Sequence, residues 1–209
     1  MINPGLAFEV ISLTASGALS PGPLTFAAIL GGRQGGWRYG FLVAIGHTLF
    51  ELPLYILLSL GVYQLLQSRD LQRVISIIGG VVVLFFVYLS IQDLLRGNTP
   101  DSINKHVTPR AGPVAIGFTF TAFNPYFLAW WATVGVKMVS DIIDSTANML
   151  SALSYYPVHV WMDFAWLSSV SLVAEKGFST SYKLSKGIQA LLILLMAYYS
   201  LKFLMDAFT

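Results

Sequence analysis

Two long apolar stretches of this chain are interrupted by proline, at Ser20-Pro21-Gly22-Pro23 and at Asn124-Pro125. Proline lacks a backbone N–H and clashes with the carbonyl four residues earlier, so each interruption leaves backbone polar groups without helical partners. In hydrocarbon such groups cost several kcal/mol unless protein, water or a bound solute satisfies them. Pro-Gly-Pro is the stronger break, because it removes two donors around a residue free to take almost any backbone angle. A half-helix starting there offers free N–H groups and the positive end of its dipole, a seat for a carboxylate. Asn124 adds an amide that can donate or accept. Pro53 and Pro157 read as ordinary kinks, which neighbouring helices repair.

The surrounding composition says why lipid is the relevant solvent. Of 209 residues, 56% are hydrophobic and only 11% charged, against about 25% charged in soluble domains; mean hydropathy is +0.69. Cysteine is absent, which excludes disulfides, thiolate metal sites and thiol redox relays. A net charge of +2, scattered along the chain, gives no nucleic-acid footprint. The start, Met1-Ile2-Asn3-Pro4-Gly5, lacks the basic n-region of a signal peptide.

Six apolar segments have spanning length, at 6–30, 39–66, 74–95, 114–136, 150–173 and 188–208. The expected fold is an all-α integral membrane protein. Its six transmembrane helices form two inverted three-helix repeats, 1–95 and 114–209, joined by a cytoplasmic connector at 96–113, with helices 1 and 4 broken at proline. Arg33, Arg38, Arg96, Lys105, Arg110, Lys176, Lys183 and Lys186 fall in loops of one side, and the opposite side holds Arg69, Arg73, Lys137 and Lys202. The positive-inside bias makes the first side cytoplasmic and places both termini outside the cytoplasmic membrane.

The repeat shows again in ionisable residues. Segment two carries His47-Thr48-Leu49-Phe50-Glu51 and segment five carries His159-Val160-Trp161-Met162-Asp163. A spacing of four puts each His on one helix face with its acid. A charge at the bilayer centre costs roughly 2.5–3.5 kcal/mol even on lenient scales, so these acids should face a cavity or each other. Two readings stand: each pair fixes helix packing, or the four residues handle substrate, cation or proton. Trp161, beside Asp163 in sequence, is a candidate ring face for a cation.

Ser20-Pro21-Gly22-Pro23, the glycine-rich basic turn Gly31-Gly32-Arg33-Gln34-Gly35-Gly36 and the later Phe123-Asn124-Pro125 resemble the lysine-exporter (LysE/RhtB) superfamily over nearly the whole chain. The resemblance implies export of amino acids, driven by the proton or the membrane potential, with Pro21, Gly22, Pro23, Asn124 and Pro125 at the family's motif positions. One departure is Leu24, where many members have Asp or Asn after Pro-Gly-Pro; a polar group is missing from the expected site. The expectation is a secondary transporter, not an enzyme, exporting amino acids, cationic ones included, by proton antiport. Pro21, Gly22, Pro23, Asn124, Pro125 and Trp161 would meet the substrate, and His47, Glu51, His159 and Asp163 would handle the proton or a cation. Its partners are the amino acid, the coupling proton and the lipid bilayer, with a homodimer left open; no nucleic acid and no cofactor are expected. Two alternatives carry other chemistry. A divalent metal exporter would use His47, Glu51, His159 and Asp163 as an N/O ligand set. An intramembrane hydrolase would use His47, His159 and Asp163 with serines or zinc, but no Gly-x-Ser-x-Gly or His-Glu-x-x-His supports it.

Overall fold

The computed structural model describes residues 2–61, 69–95, 112–146, 149–180 and 182–208, and among these it is helical, with no strand. The end of the second expected span and most of the expected connector, with Arg96, Lys105 and Arg110, lie outside the described residues.

Helix α1 (Pro4–Ala18) starts with Asn3, whose side chain accepts from the Gly5 N–H at 2.9 Å, and with proline in the first turn, where no donor is lost. It stops just before the first break. The chain restarts at Pro23 as α2 (Pro23–Ser59). Within α2 only Gly36 leaves helical geometry, at φ 52° and ψ −138°, a conformation natural to glycine alone. The expected glycine-rich turn is therefore a single-residue reversal. The ring of Tyr39 lies where a Cβ on Gly31 would be, 2.0 Å away. Eight residues of straight helix would separate the two by about 12 Å along the axis, so the chain folds back at Gly36. A side chain at Gly36 would also meet the Glu175 carboxylate at 2.2 Å.

Helix α3 (Arg69–Leu95) pairs with α8 (Tyr182–Asp206), and α2 packs most extensively on α7 (Met149–Thr180) and α4 (Pro113–Ala122). The expected fourth span is cut into α4, α5 (Pro125–Trp130), a π-helical stretch (Trp131–Gly135) and α6 (Val136–Thr146), which runs ten residues past the expected end at 136. The π stretch accommodates a ring: a Cβ on Gly135 would stand 2.2 Å from the indole of Trp131, which is fully buried.

Helices α2 and α4 touch backbone to backbone. A Cβ on Gly46 would come within 1.9 Å of the Val114 carbonyl, and one on Gly117 within 2.0 Å of the Val43 carbonyl. Paired small residues of this kind let membrane helices approach closely without a hydrophobic driving force. The approach positions the C-terminal end of α4 against the middle of α2. By length and composition, two described helices, Pro23–Ser59 and Arg69–Gln92, are apolar enough to cross a membrane; α1 and α4, at 15 and 10 residues, are cut short by the breaks. Large apolar side chains also face outward, such as Phe8, Phe85 and Leu194, as lipid contact requires.

Candidate functional site

The two acidic helix faces converge. His47 and Glu51 on α2 and His159 and Asp163 on α7 are all buried, each with 7% of its surface exposed or less. His47 Nε2 is 3.1 Å from Glu51 Oε1, one turn along its own helix. His159 Nε2 is 3.3 Å from that same oxygen, across the helix interface. Glu51 Oε2 accepts from the Tyr156 hydroxyl at 3.1 Å. The expectation that each His pairs with its own acid is thus met on α2 and not on α7. Asp163 lies near His47, with Oδ1 3.7 Å from Nε2, and its Oδ2 is buried with no hydrogen-bond partner among the described residues.

The outer nitrogens of both imidazoles are held by threonines that sequence reasoning missed. His47 Nδ1 is 2.9 Å from Thr121 Oγ1 at the end of α4, and His159 Nδ1 is 2.7 Å from Thr14 Oγ1 near the end of α1. Each threonine hydroxyl lies 2.7 Å from the carbonyl four residues earlier, Val10 for Thr14 and Gly117 for Thr121. Thr121 reaches His47 because Gly117 and Gly46 let α4 press onto α2. Aromatic rings close the sides: Phe127 is edge-on to His47, Trp130 stacks on His159 at 5.9 Å and 23°, and Trp131 meets His159 by its edge.

This cluster forms one wall of a cavity of about 280 Å³, and residues of both breaks form another. Ser20, Pro21, Gly22 and Pro23 line it from the first break and Asn124 from the second, together with His47, Glu51, His159 and Asp163. Pro125 is the first residue of α5 and does not line the cavity. Trp161 is not brought there either; it is 49% exposed on α7, facing away from the lining residues.

The two breaks present different ends. Asn124 caps α5 with its own side chain, Oδ1 accepting from Tyr126 N–H at 3.0 Å and Phe127 N–H at 3.3 Å. Its acceptor oxygen is therefore engaged within the protein. Gly22 gives α2 no side-chain cap, so the N–H groups of the first turn beyond Pro23, on Leu24 and Thr25, are left for the cavity that both residues line. The Pro21 carbonyl accepts from the Tyr199 hydroxyl at 2.9 Å. Lys202, one turn from Tyr199 on α8, lines the same cavity and lies over the Tyr126 ring at 5.2 Å. The cavity thus brings the uncapped start of α2 and the Lys202 ammonium, with Asp206 one turn further on, together with the carboxylates of Glu51 and Asp163.

Of the four residues expected for a metal site, His47, Glu51 and Asp163 place ligand atoms within 4.8 Å of one another. His159 is not of that group and instead contacts Glu51. Thr14, Thr121 and Tyr156 carried no sequence signal, since they gain a role only through contacts between distant helices. Lys202 did carry one, as a cation inside an apolar helix.

Neither curated proteins nor solved structures give a match to this chain. A family model does, the LysE type translocator, over residues 15–207. That range contains both proline breaks, all four buried ionisable residues and Lys202. Translocators are membrane transport proteins and not enzymes, in keeping with described residues that fold as helices and include two helices apolar enough to span a bilayer. The chain belongs to the LysE type translocator family.

Proposed function

We propose that the chain is a secondary transporter that exports amino acids across the cytoplasmic membrane in exchange for protons. The observation that carries this reading is one cavity, about 280 Å³, shared by the uncapped start of α2, Lys202 and the buried His–acid cluster. Its volume suits a small solute, and its lining offers both cationic and anionic partners, as the two charged groups of an amino acid require. The solute carboxylate meets the free N–H groups of Leu24 and Thr25 and the Lys202 ammonium. The ammonium group meets Asp163, whose Oδ2 has no hydrogen-bond partner among the described residues, and the adjacent Glu51. A carboxylate that takes either a cation or a proton is the simplest device for antiport. Leu24 does not weaken the positive end, because the N–H of that residue, not its side chain, makes the contact.

The architecture that serves this function is two inverted three-helix repeats, 1–95 and 114–209. The crossed bonds support it: His47 is held by Thr121 and His159 by Thr14, so each histidine is fixed by the broken helix of the other half. Both breaks then flank a site at the repeat interface. Both termini face outside, and the segments around Arg33–Arg38 and 96–110 face the cytoplasm; exclusive labelling of an introduced terminal cysteine from the cytoplasmic side would reverse this assignment.

Counterflow in proteoliposomes against a panel of amino acids and divalent metals tests the function. Accelerated uptake of a labelled amino acid by the same internal amino acid is the expected result. Counterflow of a divalent metal alone overturns the amino-acid reading.

A further inference from the structure

The hydrogen-bond geometry of the cluster fixes how many protons it holds and where they exchange. The hydroxyls of Thr14 and Thr121 lie 2.7 Å from the Val10 and Gly117 carbonyl oxygens. Two oxygens approach this closely only with a hydrogen between them, and the carbonyl has none to give. Each hydroxyl hydrogen is therefore committed to the carbonyl, and each threonine oxygen can only accept from its histidine. His47 and His159 both carry a proton on Nδ1, and this proton is locked.

The opposite nitrogens then follow. Nε2 of His47 and Nε2 of His159 converge on a single atom, Glu51 Oε1, at 3.1 and 3.3 Å. A bare Nε2 lone pair facing a carboxylate oxygen at these distances repels it. A proton on Oε1 can point at one nitrogen only, so the other contact needs its own. The three atoms Nε2, Oε1 and Nε2 together hold two protons whichever atoms carry them. With both protons on the imidazoles, two positive charges offset Glu51 and Asp163, and the buried cluster is neutral.

We propose that this trio is a two-proton store, that the exchanging positions are the two Nε2 nitrogens, and that Thr14 and Thr121 are positioning residues that enforce this. Each N–H bond at Nε2 breaks with its proton passing to cavity water, and re-forms by the reverse transfer; no other bond changes. Discharge leaves Glu51 and Asp163 both anionic beside two neutral imidazoles, a site for a cation. Cation binding and proton retention then exclude each other, as coupled exchange demands. The other ionisable groups around the trio and its cavity are Tyr55 and Tyr156, Tyr126 and Tyr199, and Lys202 with Asp206, which accepts from Tyr126. Tyr156 donates to Glu51 and Tyr55 donates to the Ala152 carbonyl, and Lys202 lies over the Tyr126 ring. No titratable side chain of α1 or α4 lines the cavity. The use of the store in antiport rests on the transport reading above; its existence does not.

The sequence has three histidines, so His106→Gln leaves only the two of interest. Nitrogen-15 NMR of that protein in lipid nanodiscs, titrated across pH, reads both rings directly. The expected result is that Nδ1 stays protonated throughout in both rings while both Nε2 positions lose their protons as pH rises. A ring with a bare Nδ1, or one whose Nε2 never exchanges its proton over the pH range of transport, overturns the proposal. The second readout is the steady solute gradient against the pH gradient at zero voltage, on logarithmic axes. A slope of two is expected for the unaltered protein, one for Thr14→Val or Thr121→Val, and two again for Thr14→Ser or Thr121→Ser, which keep the hydroxyl. A slope of one in the unaltered protein overturns the two-proton count. Should no amino acid be transported while both Nε2 positions titrate as expected, the store stands and the amino-acid reading falls. The NMR titration needs no threonine variant, so misfolding of the valine variants leaves it decisive.

Discussion

The two proline breaks solve the same problem in opposite ways. At the second, Asn124 folds its side chain onto the N–H groups of Tyr126 and Phe127 and closes the helix end within the protein. At the first, Gly22 leaves the end of α2 uncapped, and the orphan donors look into the cavity beside Lys202. The approach to each break differs too. Gly117, four residues before Thr121, sits against backbone of α2, whereas Gly17, before the first break, faces only the ring of Trp130, 3.0 Å from a Cβ placed there. The second break is thus a rigid, internally satisfied joint, and the first is an open end supplied with a counter-charge. A shared sequence device, proline in an apolar helix, is closed within the protein in one half and left open to the cavity in the other.

Substitutions at these positions separate the two roles. Gly117→Ala should do most damage, because its Cβ would lie 2.0 Å from the Val43 carbonyl and the two helices must part. A loss of about 3 kcal/mol or more of stability is expected, read as thermal unfolding in detergent. Gly17→Ala should cost clearly less, since an indole ring can shift where a backbone cannot; equal losses would erase the contrast. Next in size is Gly22→Asp. The Gly22 backbone is extended, at φ −161°, and a Cβ there meets nothing within 4 Å, so the carboxylate fits and caps α2. It should raise the solute dissociation constant about tenfold or more, roughly 1.4 kcal/mol, without loss of stability. Unchanged affinity would show that the first break binds no carboxylate. Asn124→Ala should show the reverse pattern, about 1 kcal/mol of lost stability from the missing cap with solute affinity kept. Smallest is Gly22→Asn, a neutral cap expected to stabilise the protein by only a few tenths of a kcal/mol. Its solute affinity should fall less than that of the aspartate variant, because it competes for the same donors without the negative charge.

The residues that sequence makes visible are those whose chemistry conflicts with lipid. Proline inside an apolar run and Glu51 or Asp163 on a helix face each signal a cavity, because hydrocarbon tolerates neither. The geometry of their meeting was not legible. The spacing of His159 and Asp163 predicts a bond along α7, yet the helix packing gives His159 to Glu51 and leaves Asp163 Oδ2 without a hydrogen-bond partner among the described residues. Thr14 and Thr121 are ordinary polar residues of a helix until α1 meets α7 and α4 meets α2. Trp161 is close to Asp163 in sequence, but two residues along a helix point about 200° apart, and it faces outward. The fold-back at Gly36 was read as a longer turn, since six residues rich in glycine look like a loop while only one leaves helical geometry. The π stretch at Trp131–Gly135 has no period of its own to betray it, being set by the room one indole needs.

The central claim is that the buried cluster couples solute movement to protons. Glu51→Gln is its most direct test, because Glu51 Oε1 receives both histidines and glutamine keeps the shape without the charge. Uphill export driven by a pH gradient and solute-for-solute exchange are measured in the same proteoliposomes. The account predicts that uphill export falls to the leak rate while exchange, which needs no net proton movement and keeps Asp163 for the solute ammonium, continues at higher solute concentration. Uphill export at the unaltered rate across the same gradient would contradict it and leave the cluster a packing element.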